Sequence, residues 1–491
     1  MAISSVNMYI CLAIPAVLSW LAATTYYQYR RLKHIPGPKS AGLSIWWFLR
    51  VTLRGRTHLE LHEVCEKYGS IARVGPRDLV TSDPKLALHM LSVRSQYTRS
   101  AWYNGLQFEP GKNNIVSVRD DIIHNNIRSK MAGGYSGKEV EHLEEKIDSS
   151  VKNLIRLLDS YIANNKPFDI ARKIQYFALD VISDLAFGEP FGDLASDSDI
   201  HNIVSDFETY LPYLIVSTVM SWMIPVMGLP IFRPLMPSKH DVLGVGRLMG
   251  IAKTVAAERY GPKKRVQRDM VGSFVARGLS QQQTESEIAA QIVAGSDTTA
   301  TGIRSTLLNI ITNPRVLSKL REEINAAKLS WPIAKDSEIR QMPYLQATIR
   351  EGLRLFPPVS GFMSKEVPID GDCWNGITFP AGTRIGFSMV GILRQRHVWG
   401  EDANEFRPER WFDATPDMEA TIGLVFGGGK WGCLGKNVAQ IEMNKVIVEI
   451  LRRFDVTLVD ATRPWKCFNY GVFLQSEFWV RAYRREHVPG T

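Results

Sequence analysis

Apolar residues recur at helical spacing through most of the chain, for example over Val140 to Ile162 and Lys436 to Phe454, which predicts amphipathic helices there. The segment IARVGPRDLVTSDP instead alternates around Gly75-Pro76 and reads as two short strands joined by a turn. At the start, Met8 to Tyr27 carries no charge, and about 20 such residues suffice for a helix to span a bilayer. Arg30, Arg31 and Lys33 follow at once, which places the rest of the chain on the cytosolic side. A cleaved secretory signal is the alternative, although such signals carry their positive charge in front of the apolar run. Pro36, Gly37 and Pro38 then forbid helix and set a stiff turn. Beyond it there is no repeat, low-complexity stretch or second hinge. The pattern predicts a membrane anchor with its basic flank over 1–34 and one large, mainly α domain with a minor β region over 35–491.

One internal stretch departs from amphipathic spacing. Tyr210 to Met236 is apolar, nearly uncharged and punctuated by proline. It reads either as two buried helices joined by a turn or as a surface patch that enters the bilayer beside the anchor, bordering an entrance for apolar molecules.

Composition narrows the class. The 491 residues hold 59 Lys+Arg against 50 Asp+Glu, a net +9 that suits an anionic membrane or an acidic partner protein. No basic run is interleaved with aromatics, so nucleic acid is not expected as a partner. The five cysteines, Cys11, Cys65, Cys373, Cys433 and Cys467, are scattered and form neither a CxxC pair nor a zinc-ligand spacing, which argues against a disulfide framework.

The chemistry concentrates around Cys433. FGGGKWGCLG, Phe426 to Gly435, surrounds one cysteine with bare backbone just before a helix. A thiolate metal ligand needs donors aimed at its sulfur and backbone lying close to a flat cofactor, and glycine permits both. The positive end of the following helix favours thiolate. A second anomaly is AGSDTT, Ala294 to Thr299, inside an apolar helix predicted from Glu287 to Asn313. Glycine there costs about 1 kcal/mol relative to alanine, and Asp and Thr are poor helix formers. A Thr298 hydroxyl bonded to the Ala294 carbonyl would bend the helix and open a groove. Glu351 and Arg354 in EGLR share one helical face, and His124 and Arg128 in HNNIR lie one turn apart, able to reach the same anion.

Taken together, these motifs resemble the cytochrome P450 family. The resemblance rests on Phe426, Gly427, Gly429, Cys433 and Gly435 as FGxGxxxCxG, preceded in order by HxxxR, AGxDTT, ExxR and PERW. It implies the cytochrome P450 fold behind an N-terminal transmembrane helix, with haem b as cofactor and Cys433 as proximal ligand to its iron. Glu351, Arg354 and Arg410 would form a buried charge triad behind the haem, retaining fold and cofactor, while His124 and Arg128 would face haem propionates. Asp297 would manage proton relay and Thr298 would hydrogen-bond the bound oxygen. Trp431 departs from the family pattern, which has Arg or His there, and puts that propionate contact in doubt. Phe177 to Leu194 and the ending CLGKNVAQIEMNK further resemble the fungal membrane-bound branch that includes pisatin demethylase and enzymes of secondary-metabolite biosynthesis.

The resemblance implies a monooxygenase acting on a hydrophobic small molecule at the endoplasmic reticulum membrane, single-pass, with the catalytic domain cytosolic. The chain has no flavin or nucleotide fingerprint, so its electrons are expected from NADPH-cytochrome P450 reductase. Trp102, Phe108, Phe362, Met363 and Phe473 are candidate pocket residues. Desaturation, ring closure or rearrangement at the same site is the alternative outcome, and a haem sensor without turnover is the remote one.

Overall fold

The computed structural model describes residues 15–16, 19–20, 22–262 and 264–486. Half of Met8 to Tyr27 lies outside them, and among the described residues no helix is long and apolar enough to cross a membrane. The chain is mainly helical with a minor β component. Five helices position the site: α1 (Asp121–Tyr135), α2 (Ile170–Phe187), α3 (Gln281–Ile311), α4 (Pro343–Leu355) and α5 (Lys436–Arg453).

Their ends follow from local chemistry. Asp120 Oδ1 accepts the amides of Ile122 and Ile123 at 2.9 Å each, capping α1. Ser280 caps α3, which therefore begins six residues before the predicted Glu287. Its first turns, QQQTES, are polar, so apolar periodicity alone places the start too late. Pro343 opens α4 at a position where a missing N–H costs nothing.

At the centre, α3 is buried along most of its length and packs against α2, α4 and α5. Close approach explains its glycines. A Cβ on Gly295 would lie 2.7 Å from Ile182 Cγ1 of α2, and one on Gly302 would lie 3.0 Å from Met443 Sδ of α5. The helix is continuous through Ala294 to Thr299. Gly295 therefore serves helix packing, and the hydrogen bond expected from Thr298 to the Ala294 carbonyl is present at 2.8 Å.

A five-stranded sheet flanks this core, in the order Ile71–Arg73, Asp78–Thr81, Arg384–Phe387, Lys365–Glu366, Thr98–Arg99. Ile71 pairs with Thr81 antiparallel around the Gly75-Pro76 turn. The Pro36-Gly37-Pro38 segment docks on this sheet: the Arg73 amide donates to the Pro36 carbonyl at 2.8 Å, and a Cβ on Gly37 would sit 2.2 Å from Arg73 O. The expected spacer is thus packed against the body.

Tyr210 to Met236 forms the later part of helix Ile203–Val219, with Pro212 inside it, followed by short helical turns Met223–Met227 and Pro230–Leu235. It is not a pair of buried helices. Leu211, Ile215 and Val219 are buried, but Tyr213, Trp222 and Ile231 are exposed by 71%, 61% and 76%. The helix Trp46–Leu53 packs against Ile203–Val219 and also leaves Trp46 and Leu53 exposed.

Candidate active site

The turn that carries Cys433 is built by glycine. Gly427 and Gly429 have φ of +73° and +54°, in the left-handed region that side chains disfavour. The Cys433 amide donates back to Phe426 O at 2.7 Å, closing the loop. A Cβ on Gly429 would lie 2.4 Å from the Leu91 carbonyl, and one on Gly435 would lie 3.9 Å from Cys433 Sγ. Gly429→Ala is therefore expected to cost about 1–3 kcal/mol, from a disfavoured conformation plus a backbone clash. Thermal unfolding checks this; an unchanged melting temperature would contradict it.

Cys433 is accessible to water, yet protein packs densely around its other sides. Burial pushes its thiol up from the ordinary value. Opposing this, the amides of Gly435 and Lys436 donate to the sulfur and the cations Arg128 and Lys436 lie nearby. The loop is held from α1, whose Arg128 Nη1 donates to Gly432 O at 2.6 Å. His124, one turn earlier, is buried with its ring centroid 4.2 Å from that of Trp431. Burial first, then the charge of Arg99, push His124 down to about 4, so it is neutral at pH 7. The two α1 side chains thus meet on the cysteine loop.

Trp431 occupies an unusual place. The Arg99 guanidinium lies 4.2 Å from its ring centroid, Lys365 Nζ 4.0 Å and Lys430 Nζ 5.3 Å. Arg99 and Lys365 are also direct cross-strand partners, both buried, an arrangement that repels unless something negative lies between them. Lys365 Nζ has no hydrogen-bond partner among the described residues. Burial, then the charges of Arg99 and Lys430, push its ammonium down to about 6. An indole face offers cations partial compensation, and an anionic ligand would complete it. Sequence reasoning missed Arg99 and Lys365, because only strand pairing brings them together.

On α3, Asp297 and Thr298 are adjacent but point to different sides. Thr298 is half-buried and donates to Ala294 O at 2.8 Å, while Ala294 itself is exposed in the middle of a buried helix. Asp297 is buried, with one carboxylate oxygen 4.0 Å from Arg304 Nη1 and the other without a hydrogen bond. Burial raises its carboxyl to about 6, and Arg304 acts against that rise.

Behind the loop, Glu351 is fully buried and accepts from Arg354 Nε and Nη2, Arg410 Nε, Trp411 Nε1 and the Arg407 amide, all between 2.8 and 3.1 Å. Arg354 and Arg410 donate onward to the carbonyls of Leu393, Ala403 and Trp399. The cluster ties α4 to the segment that leads into the cysteine loop. Among the proposed pocket residues, Trp102, Phe362 and Phe473 are buried in the core, Phe362 against Phe48 and Phe473 against Phe356. Phe108 and Met363 are half-buried.

Comparison with known proteins accords with this geometry. Residues 36–478 match the family model described as Cytochrome P450. The chain is 40% identical to cytochrome P450 monooxygenase ABA1 of Pyricularia oryzae, over 96% of each chain. It is 36% identical to cytochrome P450 monooxygenase aba1 of Botryotinia fuckeliana, over 93% of this chain and 92% of that one. It is 32% identical to cytochrome P450 monooxygenase abl1 of Leptosphaeria maculans, over 94% and 84%.

Proposed function

The chain belongs to the cytochrome P450 family of haem-dependent monooxygenases, and we propose from this premise that Cys433 is its iron ligand, in a site oxidising an apolar metabolite. The observation that carries the reading is the accessible Cys433 sulfur in a glycine turn beside paired, buried Arg99 and Lys365. These residues fit haem b: a soft sulfur donor, bare backbone for a flat ring, and cations for its carboxylates. Arg128, Arg99 and Lys365 would hold the propionates, and neutral His124 would pack beside them against Trp431.

When bound, haem supplies dioxygen activation by iron. The protein's own work is placement and proton supply. Gly435 leaves the space beside Sγ free of a side chain, and the amides of Gly435 and Lys436 favour its thiolate. Thr298 presents a hydroxyl on the accessible face of α3, where it would hold a proton toward the haem side of the helix. Asp297, whose carboxyl titrates near pH 6, can reload that path from behind. Electrons come from a reductase partner, for which NADPH-cytochrome P450 reductase is the proposal; exposed Lys436 beside the cysteine would meet its acidic surface, whereas Lys430 is already paired with Asp121.

We place the enzyme at the endoplasmic reticulum membrane. The uncharged run before Arg30 supports an anchor there. Exposed Trp46, Tyr213, Trp222 and Ile231 on adjoining elements support a second lipid contact. A role in fungal secondary metabolism is proposed from the resemblance to that branch of the family.

The proton role has a direct test. Thr298→Ala should keep the thiolate-type Soret band of the reduced carbon monoxide complex but divert electrons to hydrogen peroxide, lowering product formed per NADPH by about tenfold or more. Unchanged coupling would place the relay elsewhere.

A further inference from the structure

The loop between Leu106 and Val118 is held at one residue by two opposite charges. The Ile115 amide donates to Glu287 Oε2 at 3.1 Å, and the Ile115 carbonyl accepts from Arg99 Nη1 at 2.7 Å. Arg99 also donates to Val118 O at 2.9 Å. Gln283, one turn before Glu287, donates to Glu287 Oε1 at 2.6 Å and to Asn113 O at 3.0 Å.

Glu287 is 0% exposed and Arg99 7%. Burying a carboxylate is an expensive way to hold one loop amide, which a neutral acceptor could do. The place explains the choice. Glu287 stands seven residues before Ala294 and eleven before Thr298, close to whole turns, so all three share one face of α3 within about 17 Å. The loop is thereby pinned beside the accessible positions of that helix. On its other side Arg99 lies over Trp431, two residues before Cys433.

We propose that Glu287 is a positioning residue of the monooxygenase: with Arg99 it clamps Ile115, holding the 106–118 loop closed over the substrate space and setting how bulky a molecule enters. The inference rests on the haem reading above, which makes the face bearing Ala294 and Thr298 the substrate side.

The charged and titratable groups facing Glu287 are Arg99 from the neighbouring strand and Tyr135 from α1; Gln283 and the Ile115 amide are its neutral donors. Burial, opposed by those donors and Arg99, raises its carboxyl to about 7. The ionised form gives the stronger hydrogen bond to Ile115 and the attraction to Arg99. The clamp is therefore tight above this pH and loosens as pH falls through it.

The test uses full-length, haem-loaded protein and two nitrogen ligands of haem iron, imidazole and the bulky clotrimazole, followed by stopped-flow absorbance. With every association rate expressed per neutral ligand, since only the unprotonated imidazole nitrogen binds iron, wild-type clotrimazole association should accelerate as pH falls through about 7, while imidazole association stays flat. Glu287→Gln should make the clotrimazole rate independent of pH, and Glu287→Ala should raise it about tenfold at every pH. A pH dependence surviving in Glu287→Gln, or equal effects on both ligands, would overturn the clamp. This holds even if Glu287→Ala fails to fold. If neither ligand shifts the wild-type spectrum, the haem reading itself falls and the clamp with it.

Discussion

Cys433→Ala is expected to abolish the thiolate-type Soret band of the reduced carbon monoxide complex and all monooxygenation, while leaving the protein's fold in place. The turn does not depend on the side chain: the Cys433 amide bonds Phe426 O, and Gly427 and Gly429 supply the left-handed geometry. The thiol is accessible and fills no core position, so its removal costs stability within about 0.5 kcal/mol. What is lost is the one sulfur in this turn, with the amides of Gly435 and Lys436 aimed at it. Absorbance of the reduced carbon monoxide complex reads the loss directly, and circular dichroism of the same sample reads the fold. An unchanged Soret band in the variant would remove the central assignment.

Glu351→Ala should be the most damaging substitution to folding. It strips two buried guanidinium groups, Arg354 and Arg410, of their shared carboxylate, and leaves the Trp411 and Arg407 donors unanswered. Breaking a buried ion pair by removing one partner costs about 3–5 kcal/mol, a large part of the about 5–15 kcal/mol that holds a native domain together. The cost reaches the site because Arg410 and Trp411 lie on the segment running into the cysteine loop. The expected result is little haem-loaded protein and a strongly lowered melting temperature. Glu351→Gln, which keeps the acceptor oxygen and the volume, should lose less. A variant with wild-type haem content and melting temperature would show that the cluster contributes no net stability.

The parts of the site legible in the sequence are those whose geometry is local. His124 and Arg128 are one helical turn apart, Glu351 and Arg354 lie at three residues' spacing, and the glycine pattern around Cys433 demands its own turn. Helix direction was half legible: adjacent residues on a helix differ by about 100° of rotation, so Asp297 and Thr298 share a motif yet face different surroundings. Gly295 stood out as a costly residue in mid-helix, but its neighbour Ile182 comes from a distant part of the chain, and only packing reveals that the missing Cβ admits it.

The illegible parts depend on pairing across the sequence. Arg99 and Lys365 meet through strand register, and Trp431 acquires meaning only as the surface on which those cations converge. Trp102, Phe362 and Phe473 were proposed for a pocket from the segments that carry them, and their burial suits a pocket wall and ordinary core alike. Glu287 carried no motif, and it emerges from the two hydrogen bonds its carboxylate accepts.

The claim that this protein inserts an atom of dioxygen into an apolar metabolite is tested most directly by mass spectrometry. Membranes carrying the protein and a reductase are supplied with NADPH, a fungal metabolite extract and heavy-isotope dioxygen. The expected product is heavier by one labelled oxygen and is absent with Cys433→Ala. A product that is oxidised, cyclised or rearranged without label would contradict oxygen insertion.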